Sequence, residues 1–153
     1  MKVLALSYLF PNHAQLDYGV FVLNRLMAVQ KLCEVKVIAP LQSYPFRNFL
    51  RPKLAINRAI GSTENMGGLE TWYPRFSVIP RYLKFYDAFS YYAAVKPVVS
   101  KMMQDGFTFD VIDAHWTYPD ILAAYFLSQQ YRKPFIVTVR GKEALYILSL
   151  IHI

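Results

Sequence analysis

A single cysteine, Cys33, is present among the 153 residues. The chain therefore closes no internal disulfide and holds no CxxC metal or redox pair, and Cys33 reads as a small apolar residue buried at the end of a helix. Long apolar runs are missing too. The longest, Ile121 to Leu127, falls far below the roughly 18 to 20 residues that a bilayer-spanning helix needs. Neither GxGxxG nor GxxxxGKS/T occurs, so the dinucleotide and P-loop readings lose their main support. The three histidines, His13, His115 and His152, stand apart without cysteine or acidic partners at ligand spacing, which leaves no metal-site signature. Charged residues make up only 18% and aromatics as much as 16%, and a chain of that composition buries too much apolar surface to stay disordered.

What is there amounts to one domain with a full core, 55% of it hydrophobic. Lys2 followed by Val3 to Leu6 lacks a small-x-small cleavage site before Pro11, so this start reads as a buried strand of a cytoplasmic protein rather than a signal peptide. The strand runs from Val3 to Tyr8 and suits a sheet covered on both faces. After a loop with Pro11, Asn12, His13 and Gly19, helical spacing of Phe21, Val22, Leu26, Val29 and Leu32 continues to Cys33. Glu34 to Pro40 gives a second strand. Residues 41 to 68, punctuated by Pro45, Pro52 and Gly61 to Gly68, read as a long connection. Leu69 to Phe76 alternates as a third strand broken at Pro74. Asp87 to Gln104 is a helix with Phe89, Tyr92, Val95, Val99 and Met102 on one side, which Pro97 kinks or restarts. Asp110 to Ala114 is a strand, Asp120 to Tyr131 a helix and Phe135 to Val139 a further strand. Alternation at this spacing predicts an α/β fold with a doubly wound, mostly parallel sheet.

In such a sheet ligands bind beyond the carboxyl ends of the strands. Three loops qualify. Gly19 precedes a helix, whose N–H groups and dipole suit a phosphate, although a lone glycine there is more often just a turn residue. His115 leaves a strand directly, flanked by Asp113 and Trp116; it is either a general base tuned by the neighbouring carboxylate or a satisfied histidine in a strand-to-loop corner. Arg140, Gly141, Lys142 and Glu143 put a glycine between two cations, which fits a phosphate or carboxylate ligand or else a solvated turn.

The net charge of +7 is unevenly placed, because no acidic residue falls between Glu34 and Glu64. Lys36, Arg47, Arg51, Lys53 and Arg58 all lie there, and Arg47, Arg51 and Arg58 share one helical face opposite Phe46, Phe49, Leu50, Ile56 and Ile60. The tract reads either as an amphipathic segment on an anionic membrane surface or as a solvated basic loop. Nucleic acid is the weaker reading, because the tract lacks a recognised RNA- or DNA-binding motif, and no nucleic-acid partner is expected.

Three blocks carry a resemblance: FPN and GVFV in the first βα unit, WYPRF with a following IP, and DVIDAHWTYPDILAAYFL followed by KPFIVTVRGKE. The sequence resembles the N-terminal domain of the family-4-type glycosyltransferases of GT-B architecture, and the last block, Asp110 to Glu143, is the most specific. The resemblance implies a Rossmann-like domain over residues 1 to 143, forming the acceptor-binding half of a retaining hexosyltransferase. The nucleotide-sugar donor is then a substrate held by a C-terminal domain absent from this chain, and neither a metal nor another cofactor is expected. By position, Gly19 faces the donor phosphates, His115 is the catalytic histidine of the cleft, and Trp116, Arg140, Gly141 and Glu143 line the substrate site. The family pattern after VTVRG commonly runs Ser-Asp, where this chain has Lys142-Glu143. Residues 144 to 153 (ALYILSLIHI) leave the family pattern as an uncharged apolar tail, expected to be foreign to the fold; with the donor-binding domain absent, this fragment alone is expected to be inactive.

The expected function is sugar transfer to a glycan or lipid-linked acceptor in cell-envelope polysaccharide synthesis. The expected location is cytoplasmic, with the basic tract Arg47, Arg51, Lys53 and Arg58 at the inner face of the membrane. Two other readings stand beside it: a stand-alone Rossmann-like module that binds a phosphate or nucleotide without catalysis, and a peripheral membrane or partner-docking domain.

Overall fold

The computed structural model describes residues 1–44, 60–78, 84–139 and 141. Its first element, β1 (Lys2–Leu6), is buried from Val3 to Leu6. A strand with no polar face must be covered on both sides, and it lies at the centre of a six-stranded sheet. The helices are α1 (Val20–Gln30), α2 (Lys84–Gln104) and α3 (Asp120–Tyr131). The remaining strands are β2 (Glu34–Ile38), β3 (Leu41–Ser43), β4 (Thr63–Met66), β5 (Leu69–Trp72), β6 (Arg75–Ser77), β7 (Val111–Ala114) and β8 (Phe135–Val137).

The main sheet has the order β4-β5-β2-β1-β7-β8. All neighbours are parallel except β4, which pairs antiparallel with β5. The predicted α/β fold with a mostly parallel, Rossmann-like sheet is therefore present. The parallel strands run outward in both directions from β1, toward β2 on one side and β7 on the other, which creates a topological switch point between the carboxyl ends of β1 and β7.

Alternation along the central strands feeds two cores. On one face Leu4, Leu6, Ile38, Ile112 and Ala114 pack with α2 and α3 through Tyr91, Val95, Val99, Met102, Ala123, Ala124 and Leu127. On the other, Val3, Ala5, Val35 and Val37 meet Val22 and Leu26 of α1. Among the described residues no helix is long and apolar enough to cross a membrane.

Several expectations need correction. Among its described residues, the connection over residues 41 to 68 contains two strands. β4 has the sequence TENM and an alternately exposed edge, so it carries no apolar signature; the turn Gly67-Gly68, with both φ angles positive at 61° and 88°, is what closes its hairpin with β5. Leu69 to Phe76 is not one broken strand. Pro74 separates β5, in the main sheet, from β6, which pairs with β3 in a separate two-stranded sheet. Helix α2 begins at Lys84 and continues through Pro97. Its buried face is Ala88, Tyr91, Val95, Val99 and Met102, while Phe89 is exposed. Cys33 lies beyond the end of α1, half-buried, with its Sγ 3.5 Å from the Val29 carbonyl.

Candidate functional site

The residues that follow β1 and β7 are held at the switch point by bonds to the ends of the neighbouring strands. The Ser7 N–H donates to Ile38 O at 3.1 Å, and the His115 N–H to Leu6 O at 2.9 Å. The loop after β1 is also tied to the start of α3: both carboxylate oxygens of Asp120 accept the Tyr8 N–H, at 3.1 and 3.0 Å, across 112 positions of sequence. Asp120 is fully buried. An acid in the first turn of a helix is favoured by the helix dipole, and here the same carboxylate fixes where the first loop starts.

His115 is the most unusual group at this edge. The period of two along β7 sends Ile112 and Ala114 into the apolar core under α2 and α3, and Asp113 toward Arg25 of α1. His115 lies 3.1 Å through Nε2 from Asp113 Oδ2, and Arg25 Nη2 is 3.5 Å from the same oxygen. His115 is 0% and Asp113 3% exposed. The two groups are close but not aligned for a hydrogen bond. Neither ring nitrogen of His115 nor Asp113 Oδ1 has a hydrogen-bond partner among the described residues. A buried polar atom without a partner costs about 1 to 3 kcal/mol. Such groups concentrate where a ligand completes the network, and a histidine beside a carboxylate can hold or move a proton. The corner histidine with all its bonds made, the alternative reading of the sequence, does not describe this residue.

The other expected positions divide. Gly19 has a packing reason to be glycine: its φ is 76°, and a Cβ there would collide with the Leu9 carbonyl. It caps α1 without any side-chain hydrogen bond. Trp116 is half-buried next to His115. Gly141 is exposed with a φ of 60° and open space around it. Arg140 and Glu143 lie outside the described residues, as do Lys142 and the basic tract Arg47, Arg51, Lys53 and Arg58. His13 is engaged away from the switch point, its ring and backbone N–H both bonded to the Glu64 carboxylate.

Sequence reasoning missed the contacts of three residues. Asp120 was legible as a helix-start acid, but not as the partner of Tyr8. Arg25 sits in mid-helix with no local signal. Asn12 is fully buried in the first loop, with Oδ1 accepting the Ala14 N–H at 3.1 Å and Nδ2 unpartnered among the described residues. Tyrosines crowd the same region. Burial raises the pKa of Tyr8, with the hydroxyl of Tyr18 adding to it, and pushes that of Tyr91 well up, reinforced by the Asp120 charge.

No protein-family model matches the sequence. Over 94% of its length the chain is 25% identical to a protein of Bacillus subtilis (strain 168) named as the teichuronic acid biosynthesis glycosyltransferase TuaC. The chain spans 37% of that relative's length.

Proposed function

We propose that this chain is the N-terminal, acceptor-binding half of a retaining glycosyltransferase of GT-B architecture and family-4 type. On this reading it serves cell-envelope polysaccharide synthesis, using a nucleotide-sugar donor and a glycan or lipid-linked acceptor. One observation carries the proposal: a buried His115–Asp113 pair with unfilled hydrogen-bonding capacity at the switch point of a doubly wound sheet. The similarity to a protein named as a glycosyltransferase supports it. The donor would be held by a part of the protein beyond these residues, in keeping with the 37% of the relative that the chain spans.

The chemistry needs groups of this kind. Sugar transfer develops positive charge on the donor ring and negative charge on the departing diphosphate, and fixed dipoles around the reacting centre stabilise that separation. His115, held by Asp113, would bond a sugar hydroxyl and orient the ring, while its burial keeps competing water away. No metal ion takes part in this reading, and the nucleotide-sugar is a substrate.

The test uses the longer polypeptide containing this chain, assayed for sugar transfer from a panel of nucleotide-sugars to membrane-extracted acceptor. His115→Ala should lower turnover about 100-fold or more, within the range removed with a general acid or base, and leave thermal unfolding nearly unchanged. Transfer from no donor, or wild-type turnover in the variant, would refute the proposal. Retention is read from the anomeric configuration of the product. The membrane-facing role of the basic tract is tested by reversing Arg47, Arg51, Lys53 and Arg58 to Glu. Loss of co-sedimentation with anionic liposomes supports it, and unchanged binding counts against it.

A further inference from the structure

The His115–Asp113 pair has a third member on the helix that faces it. α1 turns Val22 and Leu26 into the core, both 0% exposed, and Arg25 stands on the flank of that buried face, directly before Leu26. From there its Nη2 lies 3.5 Å from Asp113 Oδ2, with 37% of the side chain exposed. His115 Nε2 lies 3.1 Å from the same oxygen. One carboxylate oxygen is thus shared between α1 and the end of β7, while Oδ1 has no hydrogen-bond partner among the described residues.

The imidazole and the guanidinium compete for one negative charge. A carboxylate beside a histidine favours the protonated ring; a cation close to that carboxylate opposes it, and burial of the ring opposes it further. Arg25 keeps its charge at every pH at which a histidine titrates. Arg25 and Asp113 together therefore carry no net charge with which to draw a second proton onto the ring. Asp120, the other buried acid of this edge, is bonded to the Tyr8 N–H instead. Among the described residues, Asp113 from β7 and Arg25 from α1 are the ionised groups in contact at this site.

The charge of the ring decides what it can do. A neutral imidazole has one N–H and one bare nitrogen, so it can accept a hydroxyl proton, whereas an imidazolium only donates. We propose that Arg25 is a positioning residue for His115: by matching the charge of Asp113 from α1, it keeps the ring neutral near neutral pH, with one nitrogen able to accept the proton of a ligand hydroxyl. Assigning that hydroxyl to a sugar rests on the glycosyltransferase reading; the control of the charge on His115 does not.

The test follows the imidazole signals of the chain by NMR across about pH 5 to 9, the range in which histidines charge, with His115 assigned by the signal lost in His115→Gln. Arg25→Gln should raise the pH of half-protonation by roughly 0.5 unit or more, about a threefold gain in proton affinity. Arg25→Lys keeps the charge and should recover at least about half of that shift. Asp113→Asn should move the midpoint the opposite way, to lower pH, which checks the sign from the other partner. Gln and Lys are good helix formers, and circular dichroism confirms that each variant folds. A midpoint unmoved in Arg25→Gln, or moved as far in Arg25→Lys, would overturn the role; a ring that stays neutral throughout in both parent and Arg25→Gln counts as unmoved.

The longer polypeptide supplies the second measurement. In Arg25→Gln the acid limb of its pH–turnover profile should move up with the NMR midpoint, so that activity lost at acid pH returns as pH rises, while the KM for the donor stays within about twofold. The two proposals also separate. An NMR shift without any movement of the acid limb keeps the role of Arg25 and removes His115 from transfer. A fixed NMR midpoint, with turnover still lost in His115→Ala, does the reverse.

Discussion

Two buried aspartates stand at the same edge of the sheet, and they are treated in opposite ways. Asp120 spends both oxygens on the Tyr8 N–H and sits in the first turn of α3, where the helix dipole favours its charge. Asp113, seven positions earlier at the end of β7, faces a histidine off-axis and an arginine at 3.5 Å, and keeps one oxygen without a partner. The contrast separates a carboxylate that organises the backbone from one held in readiness. At Asp120 burial is matched by hydrogen bonds and at Asp113 it is not, and perturbed buried groups of the second kind cluster at functional sites.

The comparison can be broken by substitution. The largest stability effect belongs to Asp120→Ala, which removes the acceptor of a charge-assisted hydrogen bond and should cost about 1.5 to 3 kcal/mol in denaturant unfolding; Asp120→Asn, which keeps one acceptor oxygen, should recover part of it. Asp113→Asn should cost less than about 1 kcal/mol, or stabilise, because it relieves a poorly compensated charge and Arg25 is exposed enough to be solvated instead. Its sugar-transfer turnover should nevertheless fall together with that of His115→Ala. Equal destabilisation by the two aspartate substitutions would erase the distinction.

The smallest effect is at Tyr91, whose buried hydroxyl lies near the Asp120 carboxylate but makes no hydrogen bond of good geometry among the described residues. Tyr91→Phe should therefore stay within about 0.5 kcal/mol of the parent at neutral pH, or gain slightly. The alkaline behaviour sharpens this. The folded-state pKa of Tyr91 lies above its ordinary value of 10.0, so above pH 10 the unfolded chain releases this proton while the folded one retains it. Stability contributed by the raised pKa is complete below pH 10 and declines as pH rises beyond it. Denaturant midpoints measured across this range should fall less steeply in Tyr91→Phe than in the parent. Parallel slopes would mean that the phenol is not protected.

Much of this was legible in the sequence, for reasons particular residues make plain. Runs such as Val3 to Leu6 and the helix Asp120–Tyr131 announce themselves because burial on both faces and helical spacing are local patterns. β4 was hidden because a polar edge strand is held by its partner rather than by its own hydrophobicity. His115 could be singled out as a candidate because it follows a strand directly. The Asp120–Tyr8 tie was not, because no local pattern links residues 112 apart.

The order of strands in space also sets a constraint on synthesis. β1 is made first but stands at the centre, flanked on one side by β2, whose pairing reaches only residues 34 to 38. Its other side stays open until Val111 to Ala114 have been made. An unpaired edge bearing buried apolar residues is an aggregation hazard. A growing chain must thus carry this apolar strand half-covered while residues 39 to 110 are made, and the cell's capacity to shield that edge becomes part of what makes this fold attainable.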